Sequence, residues 1–444
     1  MFLIIIIILL TLPGIYLGRY LLGSYFNHIT IYTVIWGGML FFYHLGFIKY
    51  YPLSFETWTY IIVAYLSLIL GTITVLVGRN IFNNHDSNNT NDSPVNYEFL
   101  YSKKIKYVII IYSVIGLFSG IQHWMILLKM YGTIPNILLH GNEIYRMRVE
   151  QGIPGLIPYI QSFSYVALLL VGMYAAAKKS LPWFVILPFI GVILKQLANF
   201  SRAGVLLGFV MFISSYYLTK NIYSIGTQND FKKKKNKNLV LIVVILSLLI
   251  GSAVFIRAFR GTVESFSGSS RALNSLHSNL LISPSIYLYM SAHVGVFNKY
   301  LKLGEEESEV IGKNTFLPVY NFLSKFGIVK HFRQYQRGYY IPVWTNTGTY
   351  LRELYADFGI AGILIVPYLL GMLVTVLLNL ADKKKSIIYL SLSVYLLIII
   401  IFSFLVMVSR LGVYYFSLII TLPTLAMLVK KTNINTDNIT LQNK

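Results

Sequence analysis

Long apolar runs recur along this sequence, and they set its fold class. Residues 2–18, FLIIIIILLTLPGIYLG, contain no charged side chain, and a bilayer span needs about 20 predominantly apolar residues. Across the chain 56% of residues are hydrophobic and 12% are charged, with a mean hydropathy of +0.64. The apolar runs show no strand-like alternation, so helices are the way to satisfy the backbone in lipid. The sequence therefore predicts an all-α polytopic membrane protein.

About eleven transmembrane helices (ten to twelve) are predicted from these runs. The predicted spans are residues 2–18, 28–48, 57–78, 105–128, 156–177, 181–198, 203–219, 239–256, 358–380, 386–407 and 412–429. The first run lacks the basic segment and the cleavage site of a secretory signal, so we expect it to be retained. Helices 1–8 then occupy residues 1–256, a long loop occupies 257–349, and helices 9–11 with a short tail occupy 350–444.

Lysine clusters orient the predicted spans, because basic residues of short loops stay on the cytoplasmic side. With these spans, five clusters fall on one side of the membrane: Lys103/Lys104/Lys106, Lys178/Lys179, Lys232–Lys235 with Lys237, Lys383–Lys385 and Lys430/Lys431. The N-terminus is then outside, the C-terminus is cytoplasmic, and residues 79–104 form a polar cytoplasmic loop. We expect the lysine run to contact anionic lipid and not nucleic acid.

The arginines are distributed in the opposite way. Ten of the twelve map to the outer interface or beyond it: Arg146, Arg148, Arg202, Arg257, Arg260, Arg271, Arg333, Arg337, Arg352 and Arg410. A planar guanidinium binds phosphate through two parallel hydrogen bonds, so the group indicates a phosphate-bearing ligand that arrives from the lipid phase. For any single arginine two alternatives stay open. Its side chain can extend along the interface, or it can pair with an outer carboxylate, of which the candidates are Glu143, Glu150, Glu264 and Glu353.

Residues 257–349 are predicted to be a large extracytoplasmic loop, far longer than an ordinary connection. Apolar patches such as TFLPVYNFLSKFGIV favour amphipathic helices that lie over the outer mouth of the bundle and close a cavity. Its aromatic-basic run KHFRQYQRGYYIPVW carries Tyr335, Tyr339, Tyr340 and Trp344. These rings could stack on sugar faces or form an interfacial aromatic belt.

Several kinds of chemistry have no sequence support. The chain has no cysteine, no HExxH, no DxD pair and no glycine-rich phosphate loop, so we expect neither a metal nor another cofactor. No internal repeat is found, which counts against a transporter built from paired halves.

Two short motifs resemble those of a known family. NTGTYLRELYADFGIAGILI (346–365) resembles the N-T-x-T…Y-x-D-F-G-x-x-G signature of bacterial oligosaccharide repeat-unit polymerases, the Wzy-type enzymes of O-antigen and capsular polysaccharide synthesis. SRAG (201–204), leading into an apolar span, resembles a second signature of the same group. The long loop before the DFG span fits the family layout too.

The resemblance implies glycan polymerisation on the outer face of the bacterial inner membrane, with a fold similar to the GT-C glycosyltransferases. A growing glycan would pass from undecaprenyl pyrophosphate to a new lipid-linked repeat unit. Donor and acceptor lipids, membrane lipid and a chain-length-regulating co-polymerase are the partners it implies. No metal is needed, since preorganised guanidinium groups can stabilise the departing pyrophosphate.

The candidate site residues combine this resemblance with the arginine pattern. The substrate-binding candidates are Arg202, Arg257, Arg260, Arg352, Arg146, Arg337, Tyr339 and Tyr340. The candidates to deprotonate the acceptor hydroxyl are Asp357, Glu264, Glu353 and His277. The structural alternative is that Asp357 caps the ninth span, while Arg352 and Glu353 sit in an interfacial turn.

Three rival functions are weighed against a polymerase. An O-antigen ligase shares the layout, but the DFG span favours the polymerase. A lipid-linked oligosaccharide flippase would need cations lining a central cavity and repeated halves. A structural or sensor membrane protein would not require an outer excess of arginine.

Overall fold

In the part of the chain that it describes, the computed structural model has helices and one short hairpin. It describes residues 2–83, 98–150, 152–223, 284–304, 310–333, 337–346 and 348–442, with separate helical positions between 243 and 259. The helices are α1 Phe2–Leu22, α2 His28–His44, α3 Phe55–Asn83, α4 Lys103–Tyr131, α5 Ile134–Leu139, α6 Gly141–Glu150, α7 Ser162–Lys178, α8 Ile186–Ala198, α9 Ala203–Ile222, α10 Pro284–Ser291, α11 His293–Leu303, α12 Leu317–Ser324, α13 Tyr350–Lys384, α14 Ile387–Phe402 and α15 Gly412–Gln442. Strands β1 Tyr339–Tyr340 and β2 Trp344–Thr345 pair antiparallel.

Length and hydropathy identify the membrane-spanning part. Within the described residues, six helices are long and apolar enough to cross a bilayer, namely α1, α3, α4, α9, α13 and the first part of α15, Gly412–Val429. Three apolar helices are shorter: α7, α8 with the preceding 3₁₀ turn, and α14. The polytopic helical membrane class is therefore confirmed, and the count of eleven stays a prediction. Half of the predicted eighth span, residues 239–256, lies outside the described residues.

The helix α13 begins earlier than expected. The sequence placed the start of the apolar span at 358, and the structure adds a helical segment from Tyr350 that the non-helical Gly359 separates from the apolar part. The charged residues of this first segment are buried against protein partners, which allows a helical segment before the break at Gly359. The interfacial turn expected for Arg352 and Glu353 is therefore wrong, since both residues are helical.

The chain divides into two compact units. Unit 1 comprises the described residues within Met1–Asn89, Gly261–Val376 and Leu396–Leu411. Unit 2 comprises those within Thr90–Arg260, Leu377–Tyr395 and Gly412–Lys444.

Glycines set the close helix contacts of unit 1. A Cβ at Gly71 of α3 would overlap the carbonyl oxygen of Tyr368 on α13, and a Cβ at Gly371 would overlap the carbonyl oxygen of Leu68 on α3. The two backbones therefore touch at these positions, as small residues allow in membrane helices.

In unit 2, α7 lies at the centre, buried along almost its whole length, and packs against α4, α9 and α15. Gly116 of α4 contacts Ser164 of α7, and Gly172 of α7 contacts Ser215 of α9. At one end, α4, α6 and α8 share an apolar cluster that contains Leu127, Ile144, Ala198 and Phe200.

Candidate functional site

Arg352 is buried in unit 1 and faces aromatic rings. Its side chain is 3% exposed, and its guanidinium carbon lies 4.9 Å from the ring centroid of Tyr339 and 5.5 Å from that of Tyr300. Its Nη2 donates a hydrogen bond of 2.7 Å to the backbone carbonyl of Arg337. Desolvated cations gain most from such ring contacts. The guanidinium thus has protein partners on several sides, and Tyr339 uses one ring face for Arg352.

Glu353 forms a buried ion pair in the same unit. Its Oε1 lies 2.6 Å from Nη1 of Arg410, and its Oε2 accepts a 2.8 Å hydrogen bond from the backbone N–H of Met407. The backbone N–H of Tyr350 also donates to the Ser403 carbonyl at 2.8 Å. The carboxylate therefore fixes the start of α13 against residues 403–410. Arg410 therefore pairs with a carboxylate, which was one of the two alternatives to phosphate binding left open for each outer arginine.

Asp357 anchors a turn that lies before α12. Its Oδ1 accepts hydrogen bonds from the backbone N–H and the side-chain amide of Asn314, at 2.9 and 2.8 Å. Its Oδ2 accepts from the backbone N–H and the hydroxyl of Thr315, at 2.7 and 2.8 Å. The sequence predicted Asp357 as a helix cap and did not predict its contacts with Asn314 and Thr315, because that turn is more than forty residues away in sequence.

The local backbone explains both glycines of the DFG motif, Gly359 and Gly362. Gly359 has φ 60° and ψ −147° and breaks α13 there, a conformation that a side chain would strain. A Cβ at Gly362 would lie 2.5 Å from the carbonyl oxygen of Leu354. The motif therefore encodes a break with a close backbone contact after it.

The SRAG motif forms the junction between α8 and α9 in unit 2. Phe200 adopts a left-handed backbone with φ 48° and is fully buried, and the Ser201 N–H donates to the Gln196 carbonyl at 3.0 Å, which ends α8. Gly204 lies against Gln196 and Tyr165, and the Tyr165 hydroxyl donates to its carbonyl at 3.0 Å. Arg202 is the half-buried N-cap residue of α9 and makes no side-chain capping bond. The turn fixes its backbone at the positive end of that helix.

The remaining candidates are distributed as follows. Arg146 is exposed on α6 of unit 2. In unit 1, Tyr339 is buried while Tyr340 is 54% exposed. Four candidates, Arg257, Arg260, Glu264 and His277, lie outside the described residues. The candidates thus belong to both units, and within the described part of the chain no three His, Asp or Glu side chains are grouped to hold a metal ion.

Two buried basic residues of unit 2 were missed by the sequence analysis. Lys195 lies in α8 at 9% exposure, and His123 lies in α4 with no exposed surface. The signal was present, because each basic residue stands beside a glutamine within a mainly apolar run, VILKQLA and GIQHWMI. A charged or titratable side chain inside a span marks a functional position by default.

Comparison with known proteins gives one family. The family model described as O-antigen polysaccharide polymerase Wzy matches residues 1–291. The match includes the SRAG turn, and the DFG motif lies beyond its end. No curated protein and no solved structure matches the chain.

Proposed function

The chain belongs to the O-antigen polysaccharide polymerase Wzy family, and from this premise we propose that it polymerises oligosaccharide repeat units carried on undecaprenyl pyrophosphate. The family model covers 291 of its 444 residues, which confirms the family expected from the sequence motifs. That match is the observation that carries the reaction class. We place the reaction on the extracytoplasmic face of the bacterial inner membrane, with an O-antigen or capsular polysaccharide as product.

The proposed reaction is a glycosyl transfer. The bond between the anomeric carbon of the growing glycan and the pyrophosphate oxygen breaks, and a new bond forms to a hydroxyl of the incoming lipid-linked unit. The acceptor hydroxyl loses its proton to a base, and undecaprenyl pyrophosphate leaves as an anion. Charge develops on that leaving group, so fixed cationic groups in a poorly solvated site lower the barrier.

Arg202 is the cation that we assign to the leaving group. It stands at the N-terminal end of α9, where backbone N–H groups and the helix dipole favour an anion. A half-buried guanidinium adds a charged fork that matches a phosphate. The tight turn from Phe200 to Gly204 holds this position.

The two carboxylates of α13 are proposed to position the site and not to react. Glu353 is paired with Arg410, and Asp357 holds the 314–315 turn. All four carboxylate oxygens already accept hydrogen bonds from protein donors, so neither residue can take the acceptor proton without breaking these contacts. The proton acceptor is therefore sought at Glu264 or His277.

Substitution of Arg202 tests the proposal in cells that lack the native polymerase. Arg202→Lys keeps the charge but loses the fork, so we expect at least tenfold less long-chain polymer. Arg202→Ala loses both, so we expect glycan limited to one repeat unit, measured by gel electrophoresis of surface polysaccharide. Arg19→Ala, an exposed arginine at the end of α1, is the matched control and should give wild-type chain lengths.

Protein abundance in the membrane separates the interpretations. Normal abundance with single-unit glycan supports the assignment. Long-chain polymer from Arg202→Ala would contradict the phosphate role. If Arg202→Ala is lost from the membrane while Arg202→Lys is both stable and fully active, the residue is structural.

A further inference from the structure

Three basic side chains of unit 2 converge one helical turn from the apolar cluster shared by α4, α6 and α8. In that cluster lie Leu127, Ile144 and Ala198. On the same helix faces, at spacings of three or four residues, stand His123, Arg148 and Lys195. Leu127 and His123 lie four residues apart on α4, Ile144 and Arg148 lie four apart on α6, and Ala198 and Lys195 lie three apart on α8.

Direct contacts support this placement. The Nζ of Lys195 lies 3.5 Å from the backbone carbonyl oxygen of Ser119, and Ser119 precedes His123 by one turn of α4. The Trp124 indole donates to the Leu194 carbonyl at 3.0 Å, which holds α8 against α4. His123 is within electrostatic reach of both other groups, and Lys195 is within reach of Arg148.

None of the three groups has an anionic partner among the described residues. Neither ring nitrogen of His123 has a hydrogen-bond partner, and the same holds for Nε and Nη2 of Arg148. Lys195 is more than nine-tenths buried, and its long contact with a carbonyl does not neutralise it. Among the described residues, the ion pairs are Arg410–Glu353 and Lys385–Asp382, and neither involves these three groups.

Such an arrangement costs free energy in the empty protein. The charges of Lys195 and Arg148 repel each other, and burial removes part of the hydration of both. An anion with several oxygens removes both costs, because Lys supplies a point charge, Arg a fork and His a further N–H. Arg148 is only half-buried, above the ring of Tyr145 at 5.1 Å, so it marks the side from which a ligand enters.

We propose that His123, Lys195 and Arg148 form a binding site for a phosphate or diphosphate group inside unit 2. Arg148 is one of the ten outer arginines but not one of the substrate-binding candidates predicted from the sequence, and His123 and Lys195 belong to neither group. Its link to polymerisation rests on the proposed function, since the diphosphate of a lipid-linked repeat unit is one source of the ligand. Free phosphate or pyrophosphate is the other source, and the chemistry of recognition is the same.

The test uses the purified full-length protein in lipid nanodiscs. Binding of inorganic phosphate, inorganic pyrophosphate and farnesyl diphosphate is measured by calorimetry, and thermal unfolding is followed with and without each anion. We expect pyrophosphate to raise the unfolding temperature of the wild type. Lys195→Met should bind at least tenfold more weakly, Lys195→Arg should recover part of the affinity, and Arg148→Met should be impaired. Lys129→Met, an exposed lysine on α4, should bind as the wild type does.

A second readout distinguishes a binding site from a structural lysine. Lys195 and Arg148 are like charges, so removing Lys195 relieves their repulsion, and the anion-free Lys195→Met protein should unfold at a higher temperature than the anion-free wild type. A lower unfolding temperature with unchanged anion affinity would overturn the proposal. Tighter binding of farnesyl diphosphate than of pyrophosphate identifies the lipid as source, and equal binding identifies the free anion.

Failure here is separable from failure of the proposed function. A wild type that polymerises glycan while binding these anions no better than Lys195→Met overturns the site alone. A protein that binds the anions through these residues but makes no polymer supports the site and contradicts the polymerase assignment.

Discussion

Arg352, Glu353 and Asp357 are three charges within six residues, and each is buried against a different partner. The guanidinium lies against Tyr339 and Tyr300, Glu353 pairs with Arg410, and Asp357 binds the 314–315 turn. A lone charge in a low-dielectric interior is strongly unfavourable, whereas a paired and hydrogen-bonded one is tolerated. These partners explain why the charges persist beside an apolar span.

The Glu353–Arg410 pair makes a prediction at this scale. Glu353→Met or Arg410→Met leaves a buried unpaired charge, so each should lower the free energy of unfolding by about 3–5 kcal/mol. The double variant should lose less than the sum, measured as a double-mutant cycle on thermal unfolding in detergent. Asp382→Asn is the control, because it breaks a pair of equal length, 2.6 Å, that is largely exposed. It should cost about 1 kcal/mol or less.

A different result would change the role of Glu353. If Glu353→Met keeps wild-type stability and abundance but yields no polymer, the carboxylate acts in the reaction and its pairing is incidental.

At the scale of elements, glycines decide how closely helices approach. Replacing Gly371 by Ala would make a Cβ overlap the carbonyl oxygen of Leu68. Because that oxygen belongs to the backbone, one of the two helices has to move. We expect about 1–3 kcal/mol of destabilisation, read as a lower unfolding temperature in detergent. Gly78→Ala on α3 meets no atom within 4 Å, so it should leave stability unchanged or gain up to about 1 kcal/mol.

A wild-type unfolding temperature for Gly371→Ala would show that α3 and α13 have room to separate. The close backbone contact would then not hold these helices together.

Helices were more predictable than their contacts. Apolar runs predicted α3, α4 and α9 within a few residues, because lipid imposes length and composition directly. The helical segment 350–358 before the break at Gly359 was not predicted, since Glu353 and Asp357 find partners at Arg410 and Asn314 that no local pattern reveals. Lys195 was overlooked although a single basic residue inside an apolar span is visible in the sequence. Its neighbour Arg148 comes from another helix, so the sequence does not show that the two residues are close.

At the scale of the whole molecule, the lysine clusters predict the orientation. Reporter fusions after Lys104, Lys179, Lys237, Lys385 and Lys431 should all indicate the cytoplasm, because basic loops resist translocation. A fusion near Ser308 should indicate the outside. A cytoplasmic signal near Ser308 would place the 257–349 segment on the wrong side for the proposed reaction.

The sequence could not predict how the candidate residues group. Arg352 and Asp357 belong to unit 1, while Arg202 and Arg146 belong to unit 2. Both units are assembled from segments far apart in the chain, so neighbours in space are distant in sequence. The family could be recognised from two short motifs because each encodes a local backbone feature, the turn at Phe200 and the break at Gly359.

The Asp357 carboxylate has a mechanical consequence. It ties the turn at Asn314 and Thr315 to the residue two positions before the break at Gly359. That turn leads directly into α12, whose Val319 and Phe322 are about half exposed. A displacement of α12 is therefore expected to act, through these four hydrogen bonds, on the segment of α13 that directly precedes its break.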